Sequence, residues 1–171
     1  MSALSAKLST RLCLHLLAAI SVLAVGVALV SQYVFDMAPC AWCVFQRLLY
    51  LLIALVCWQG LLFGKWLNCH RTRQTACALA ALLALGGVAA AWYQHTVAAN
   101  MFSCAQTFAD RFMVASGLEE HLPGLFGIFA TCMDARVQVL GVEYALWSLV
   151  LFVLLALLAV KGLLSGGQRS E

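Results

Sequence analysis

Charge is what this sequence holds least of. Its 171 residues include ten Lys and Arg and seven Asp and Glu, so 10% of side chains are charged against 64% hydrophobic. A soluble domain of this length could not hide that much apolar surface, so the class is integral membrane protein. The net charge of only +3 offers no basic face for a nucleic-acid backbone, which excludes nucleic acid as a partner. Proline is nearly absent: Pro39 and Pro123 are the only two, and both fall outside the long apolar runs. No internal repeat or low-complexity stretch divides the chain, so residues 1–171 read as a single membrane domain.

What is present in quantity is apolar sequence in four runs, at about residues 12–35, 44–63, 76–93 and 143–160. Each holds roughly 18 to 24 residues, enough at ~1.5 Å per residue to cross ~30 Å of hydrocarbon. Lipid offers no partners to free backbone groups, so each run is expected to be a helix. The first run is longer than the ~7 to 15 residues of a signal-peptide core, and reads as a retained span rather than a cleaved leader. The expected fold is an all-α membrane protein, an antiparallel bundle of four transmembrane helices.

Basic residues set the expected orientation. Lys7, Arg11, Lys65, Arg71, Arg73, Lys161 and Arg169 all fall on one side, which becomes the cytoplasmic side with both termini. Arg47, Arg111 and Arg136 fall on the other, with Asp36, Asp110, Glu119, Glu120, Asp134 and Glu143. Two loops then face outward, a short one at about 36–43 and a long one at about 94–142.

Eight cysteines divide evenly between the sides. Cys40 and Cys43 lie at the outer surface, and Cys104 and Cys132 in the long outer loop. Cys13, Cys69 and Cys77 are on the inner side, and Cys57, about 14 residues into its span and so ~20 Å from the outer end, is in the inner half. The bacterial periplasm oxidises thiols and the cytosol reduces them. The outer pairs can therefore form disulfides, and the inner four read as small apolar packing residues. In the outer loop Phe108, Phe112 and Ala115 recur at helical spacing, which predicts a short amphipathic helix at the surface. Val137, Leu140 and Tyr144 form a second, weaker stripe, and "HLPGLFG" between the two reads as turn and flexible chain.

The chemistry concentrates in "APCAWCVFQR", residues 38–47. If a helix starts at Val44, Cys40 and Cys43 sit before and at its first turn, where the positive end of the helix dipole favours a thiolate. Arg47 lies four residues past Cys43, one turn deeper on the same face. A guanidinium there can favour the thiolate and donate to an oxygen of a bound molecule. Such a molecule would sit at the bilayer edge, and a quinone fits that address. Plainer readings stand beside this one. The pair could be half of a metal site completed by Cys104 and Cys132. Arg47 could snorkel to headgroups. His95, at the outer end of the third span, could be a ligand, a quinone contact or an interfacial residue, and Gln94 and Tyr93 beside it are equally ambiguous.

Taken together, four spans, inner termini, an outer C-x-x-C with Arg four residues on, and a second outer cysteine pair resemble the DsbB family, bacterial disulfide bond formation protein B. The resemblance covers nearly the whole chain and rests on "CAWCVFQR", "WYQHT" and "FATCMDARVQVLGVEYALW". Gln46 stands where some members carry Glu. The resemblance implies an inner-membrane, quinone-dependent thiol:disulfide oxidoreductase with Cys40, Cys43, Cys104 and Cys132 as redox residues. It implies Arg47, Cys43 and His95 at the quinone, ubiquinone or anaerobically menaquinone, and no resident metal. The implied partner is a periplasmic thioredoxin-like oxidase similar to DsbA. That partner would attack a Cys104–Cys132 disulfide at Cys104, and Cys132 would pass the electrons on to Cys40. Three rival readings remain at this point: a metal-binding membrane protein, a reductase resembling vitamin K epoxide reductase, and a helper subunit with static disulfides.

Overall fold

Ser9 opens the first helix: its hydroxyl caps the N-terminus by accepting from the Leu12 amide. The computed structural model of the chain describes residues 9–66, 70–98 and 107–167. Helix α1 spans Thr10–Val34, α2 Ala41–Trp66, α3 His70–Thr96 and α7 Tyr144–Gly167. Between α3 and α7 lie three short helices, α4 (Phe108–Ala115), α5 (Leu118–His121) and α6 (Pro123–Phe126), and a two-stranded hairpin, β1 (Gln138–Val139) and β2 (Val142–Glu143).

The four long helices are apolar and long enough to cross a membrane. They run up and down in chain order, α1 against α2, α2 against α3, α3 against α7, and α7 back against α1. Their outward faces carry Leu23, Leu62, Leu82 and Leu157, each more than 60% exposed, a surface stable only in lipid. Between helices in lipid, close packing replaces the hydrophobic drive, and small residues allow it. A Cβ at Gly60 would lie 2.3 Å from the Ala76 Cβ, so α2 and α3 touch backbone to side chain there. One at Gly87 would lie 2.3 Å from the Phe152 ring, which itself stacks on Tyr50 at 4.1 Å. Helices α2 and α3 outrun their apolar runs by about three to six residues at each end, and α7 outruns its run at its C-terminal end, because backbone hydrogen bonding continues through polar ends such as His70–Arg73 after hydropathy has faded.

The turn from α1 to α2 is tight. Asp36 takes a positive φ of 51°, and the Met37 amide returns to the Ser31 carbonyl. Pro39 follows, and Cys40 then accepts from the Val44 amide as the cap of α2. The second helix therefore starts at Ala41, three residues earlier than Val44.

The expected surface helix is α4, but its inward face is Ala109 and Met113, both fully buried, while Phe108 and Phe112 stay largely exposed with their edges on Phe45. Two expectations for the loop need correction. "HLPGLFG" is not flexible chain; Leu118–His121 and Pro123–Phe126 each form a helical turn, the second begun by Pro123, whose fixed φ suits a first helical position. Val137, Leu140 and Tyr144 do not share a helical face. Gln138 pairs with Glu143 and Val139 with Val142 across a two-residue turn. Leu140 (φ 55°) and Gly141 (φ 79°) both take the positive φ such a turn demands, and hairpin pairing overrides the helical spacing.

Candidate redox site

Among the described residues, the cysteines and the arginine that the sequence marks as the outer site gather at the end of the bundle where α2 begins. The Cys40 and Cys43 sulfurs are 3.2 Å apart as a hydrogen-bonded pair of thiols. Cys40, at the helix cap, is fully buried, and Cys43, in the first turn, is partly buried. The Cys40 thiol is pushed well above its ordinary range, first by its hydrogen bond to Cys43 and then by burial. Trp42, between them, tilts against Tyr93 at 4.9 Å and meets Phe45 edge-on. Pro39 O accepts from the Phe129 and Ala130 amides, so the long loop is hydrogen-bonded to the chain beside Cys40.

Arg47 is only 5% exposed. Its Nη1 donates to Gln32 Oε1 at 2.6 Å and to the Leu125 carbonyl at 3.1 Å, and its Nη2 to the Ala28 carbonyl at 3.3 Å. Its buried Nε–H has no acceptor in the protein. Arg47 therefore does not snorkel; it is built in, with one donor left over. Tyr33, which donates to the Gly124 carbonyl at 2.6 Å, fixes the same loop segment.

A cavity of about 600 Å³ opens between α1 and α7 and ends at Cys43, Gln46, Arg47 and Gln94. Its sides are apolar, including Ile20, Leu23, Val27, Leu151 and Leu154, and Tyr50, Tyr144 and Ser148 add hydroxyls. An apolar trough meeting a few convergent polar groups is the usual form of a small-molecule site. Val139 and Leu140 of the hairpin form part of its rim, braced by the Trp147 indole donating to the Val139 carbonyl.

His95 is not among the groups lining this cavity. Its Nδ1 lies 2.6 Å from Glu143 Oε2, and Arg136 Nε donates to Glu143 Oε1 at 2.6 Å. Glu143 is held below the usual carboxylate range: burial pulls upward, but the hydrogen bonds from Arg136 and His95 outweigh it. Cys132 is disulfide-bonded and 2% exposed, in a small cleft with Gln94, His95, Arg136 and Glu143. Cys104, its expected partner, lies outside the described residues. The cleft and the cavity share Gln94, Tyr144 and Ala145, so Cys132 and Cys43 flank the same residues. Among the described residues, no three His, Cys, Asp or Glu side chains gather as a metal site.

Sequence reasoning left Gln94 ambiguous, gave Gln46 no role and passed over Gln32. Gln94 Nε2 donates to Cys43 Sγ at 3.1 Å, Gln46 Nε2 donates to Gln94 Oε1 at 2.6 Å, and Gln32 holds Arg47. The available signal was their setting, since a polar side chain within an apolar span is costly and is seldom there without a task. At the far end of the bundle, Cys13, Cys57 and Cys77 are fully buried in apolar packing, and Cys69 lies outside the described residues.

The site is thus a hydrogen-bonded dithiol at a helix start, with a buried cation beside it, an apolar cavity against it and the Cys132 disulfide across three shared residues. Such an arrangement can exchange disulfides and pass electrons to a ligand in the cavity. Comparison with known proteins agrees. The family model for "Disulfide bond formation protein DsbB" matches residues 10–161. The chain is similar to disulfide bond formation protein B of Herminiimonas arsenicoxydans, 31% identical over 87% of this chain and 92% of the relative. It is 33% identical to that of Chromohalobacter salexigens, over 84% of each chain. With the protein of Ralstonia nicotianae it shares 31% identity over 90% of this chain and 94% of the relative. A match over most of the chain, to a family whose thiol chemistry the Cys40–Cys43 site can carry, places the protein in the DsbB family of disulfide bond formation membrane proteins.

Proposed function

We propose that the protein is an inner-membrane thiol oxidase. It reoxidises a periplasmic DsbA-like protein and passes the electrons to membrane quinone. The observation that carries this reading is the meeting at the end of the apolar cavity of Cys43 and Arg47, whose buried Nε–H has no acceptor in the protein. A quinone fits these residues. Its carbonyl needs a donor, and Arg47 has one in a water-poor setting. Its ring needs an apolar slot, and α1 and α7 supply it. Bound there, a quinone would take two electrons and two protons from the Cys40/Cys43 dithiol and leave a disulfide.

The chain's own residues do the rest. The partner's thiolate attacks Cys104 of a Cys104–Cys132 disulfide, forming a mixed disulfide and releasing Cys132. The partner's second thiol then displaces Cys104, which leaves both loop cysteines reduced. Cys132 attacks Cys40, which breaks the Cys40–Cys43 bond and leaves the electron pair on Cys43. Cys104 closes the loop disulfide by displacing Cys40, and the dithiol stands reduced. Cys40 is buried, so the loop bonds at Pro39 O must open for this attack. Strongly oxidising partners, near about −120 mV, are hard to reoxidise with ordinary disulfides, and every 30 mV costs about 1.4 kcal/mol for two electrons. A quinone acceptor supplies that drive.

Charge supports the orientation. Arg11, Lys65, Arg71, Arg73 and Lys161 lie at the end of the bundle away from Cys40, so that end faces the cytoplasm and the cysteines face the periplasm. The test is turnover of a reduced DsbA-like protein by the purified chain with ubiquinone, against a Cys104→Ser variant. Partner oxidation matched by quinone reduction, and lost in the variant, is the expected result. Normal turnover by the variant would contradict the route.

A further inference from the structure

Gln46 and Gln94 are buried side by side at the redox pair, 4% and 7% exposed. Two amides in a lipid-embedded core are costly unless each is paired. Gln46 Nε2 donates to Gln94 Oε1 at 2.6 Å, and this occupies the oxygen end of Gln94. Its Nε2 then faces the sulfurs, 3.1 Å from Cys43 and 3.5 Å from Cys40. An N–H group can only donate. A neutral thiol is a weak acceptor, whereas a thiolate makes a charge-assisted bond. Turning both amides over would present Gln94 Oε1 to the sulfurs and would suit only a protonated pair. The arrangement found is the one that receives negative charge, and the nearer sulfur is Cys43.

We propose that Gln94 is a catalytic hydrogen-bond donor that holds the charge on Cys43 when the Cys40–Cys43 bond opens, and that Gln46 is the positioning residue that aims it. This rests on the reading above, in which that bond opens and closes during turnover. When a thiolate attacks Cys40, a new sulfur–sulfur bond forms there, the old one breaks, and its electron pair goes to Cys43. A leaving thiolate that is better stabilised departs faster. Gln94 supplies that stabilisation from α3, while Arg47 spends its Nη donors on Gln32, Ala28 and Leu125. The other titratable or charged groups around Cys43 are Cys40, Arg47 and Tyr144.

The test needs no quinone. In a Cys40→Ser background, the pH dependence of iodoacetamide labelling at Cys43 is read by mass mapping on the purified full chain. Loss of one charge-assisted donor in Gln94→Leu should move the half-reaction pH up by about one unit, roughly tenfold slower labelling at fixed pH below it. Gln46→Leu should move it in the same direction by less. The double variant should go no further than Gln94→Leu alone, because the two act as one unit. Gln94→Met, closer in shape, serves if the Leu variant does not fold. An unchanged half-reaction pH in a folded Gln94 variant overturns the proposal, even where the unmodified chain reduces quinone. A shifted half-reaction pH in a chain whose native form leaves quinone untouched keeps the amide assignment and overturns the quinone reading instead.

Discussion

Replacing Arg47 with Lys separates the arginine's charge from its geometry. The guanidinium already serves three protein acceptors, Gln32 Oε1, Leu125 O and Ala28 O, has an Nε–H with no protein acceptor, and belongs to a residue that lines the cavity. A lysine ammonium keeps the charge but carries three N–H groups on a flexible stem. Those three would be consumed by the protein acceptors, leaving none for a ligand oxygen. Loss of one hydrogen bond from a charged donor is worth about 1.5–3 kcal/mol. At about 1.4 kcal/mol per tenfold, the kcat/KM for quinone should fall roughly 10- to 100-fold in Arg47→Lys. Arg47→Ala should fall at least as far and should also loosen the loop, because Leu125 O loses its donor. The assay is quinone reduction by pre-reduced protein across a quinone titration, with thermal unfolding in detergent recorded alongside. The same kcat/KM in wild type, Arg47→Lys and Arg47→Ala, all folded, would refute the reasoning and leave Arg47 as a clamp for the loop.

Other outcomes are expected from the same account. Cys132→Ser should abolish partner oxidation while the Cys40/Cys43 dithiol, reduced chemically, still reacts with quinone; loss of both reactions would contradict two separable pairs. Glu143, held low by Arg136 and His95, contributes stability that is fully present above the ordinary value of about 4.3 and is lost as pH falls through its lower folded value. Hydrogen-exchange protection factors across 136–143, corrected for the intrinsic exchange rate, should therefore fall in acid, and Glu143→Gln should flatten that dependence; an identical acid limb in the variant would refute it. Gly87→Ala forces a methyl against Phe152 and should cost about 1–3 kcal/mol by thermal unfolding, partly restored by Phe152→Leu; no shift would show α3 and α7 are less tightly packed. Replacing Cys13, Cys57, Cys69 and Cys77 together with Ala should leave partner oxidation largely intact, and a folded but inactive protein would give the inner thiols a role.

Much of the fold was legible because a bilayer leaves few choices. An apolar run of sufficient length must be a helix, and charge at its ends tells where it stops. The C-x-x-C and the arginine one turn below were legible because helix spacing alone puts them on one face. The loop was less so. Leu140 at positive φ runs against its own preference, and hairpin pairing of Gln138 with Glu143 and Val139 with Val142 holds it there. The short helix itself was legible from Phe108 and Phe112, but that Ala109 and Met113 would be its buried face depends on the space beside α2. Gln94 could be flagged as polar, but its reach to Cys43 depends on how α3 is set against α2. That setting comes from contacts such as Gly60 on Ala76, which no local pattern encodes.

The most direct test of the central claim is a single turnover. The chain, with its outer thiols reduced, is mixed in lipid nanodiscs with one equivalent of ubiquinone, and quinone absorbance is followed while thiols are counted with a mass-tagged alkylating agent. The account predicts one quinol formed for each outer pair, Cys40/Cys43 or Cys104/Cys132, that becomes resistant to tagging, with Cys13, Cys57 and Cys77 unchanged. Quinone that stays oxidised while Cys40 and Cys43 remain fully taggable would contradict it.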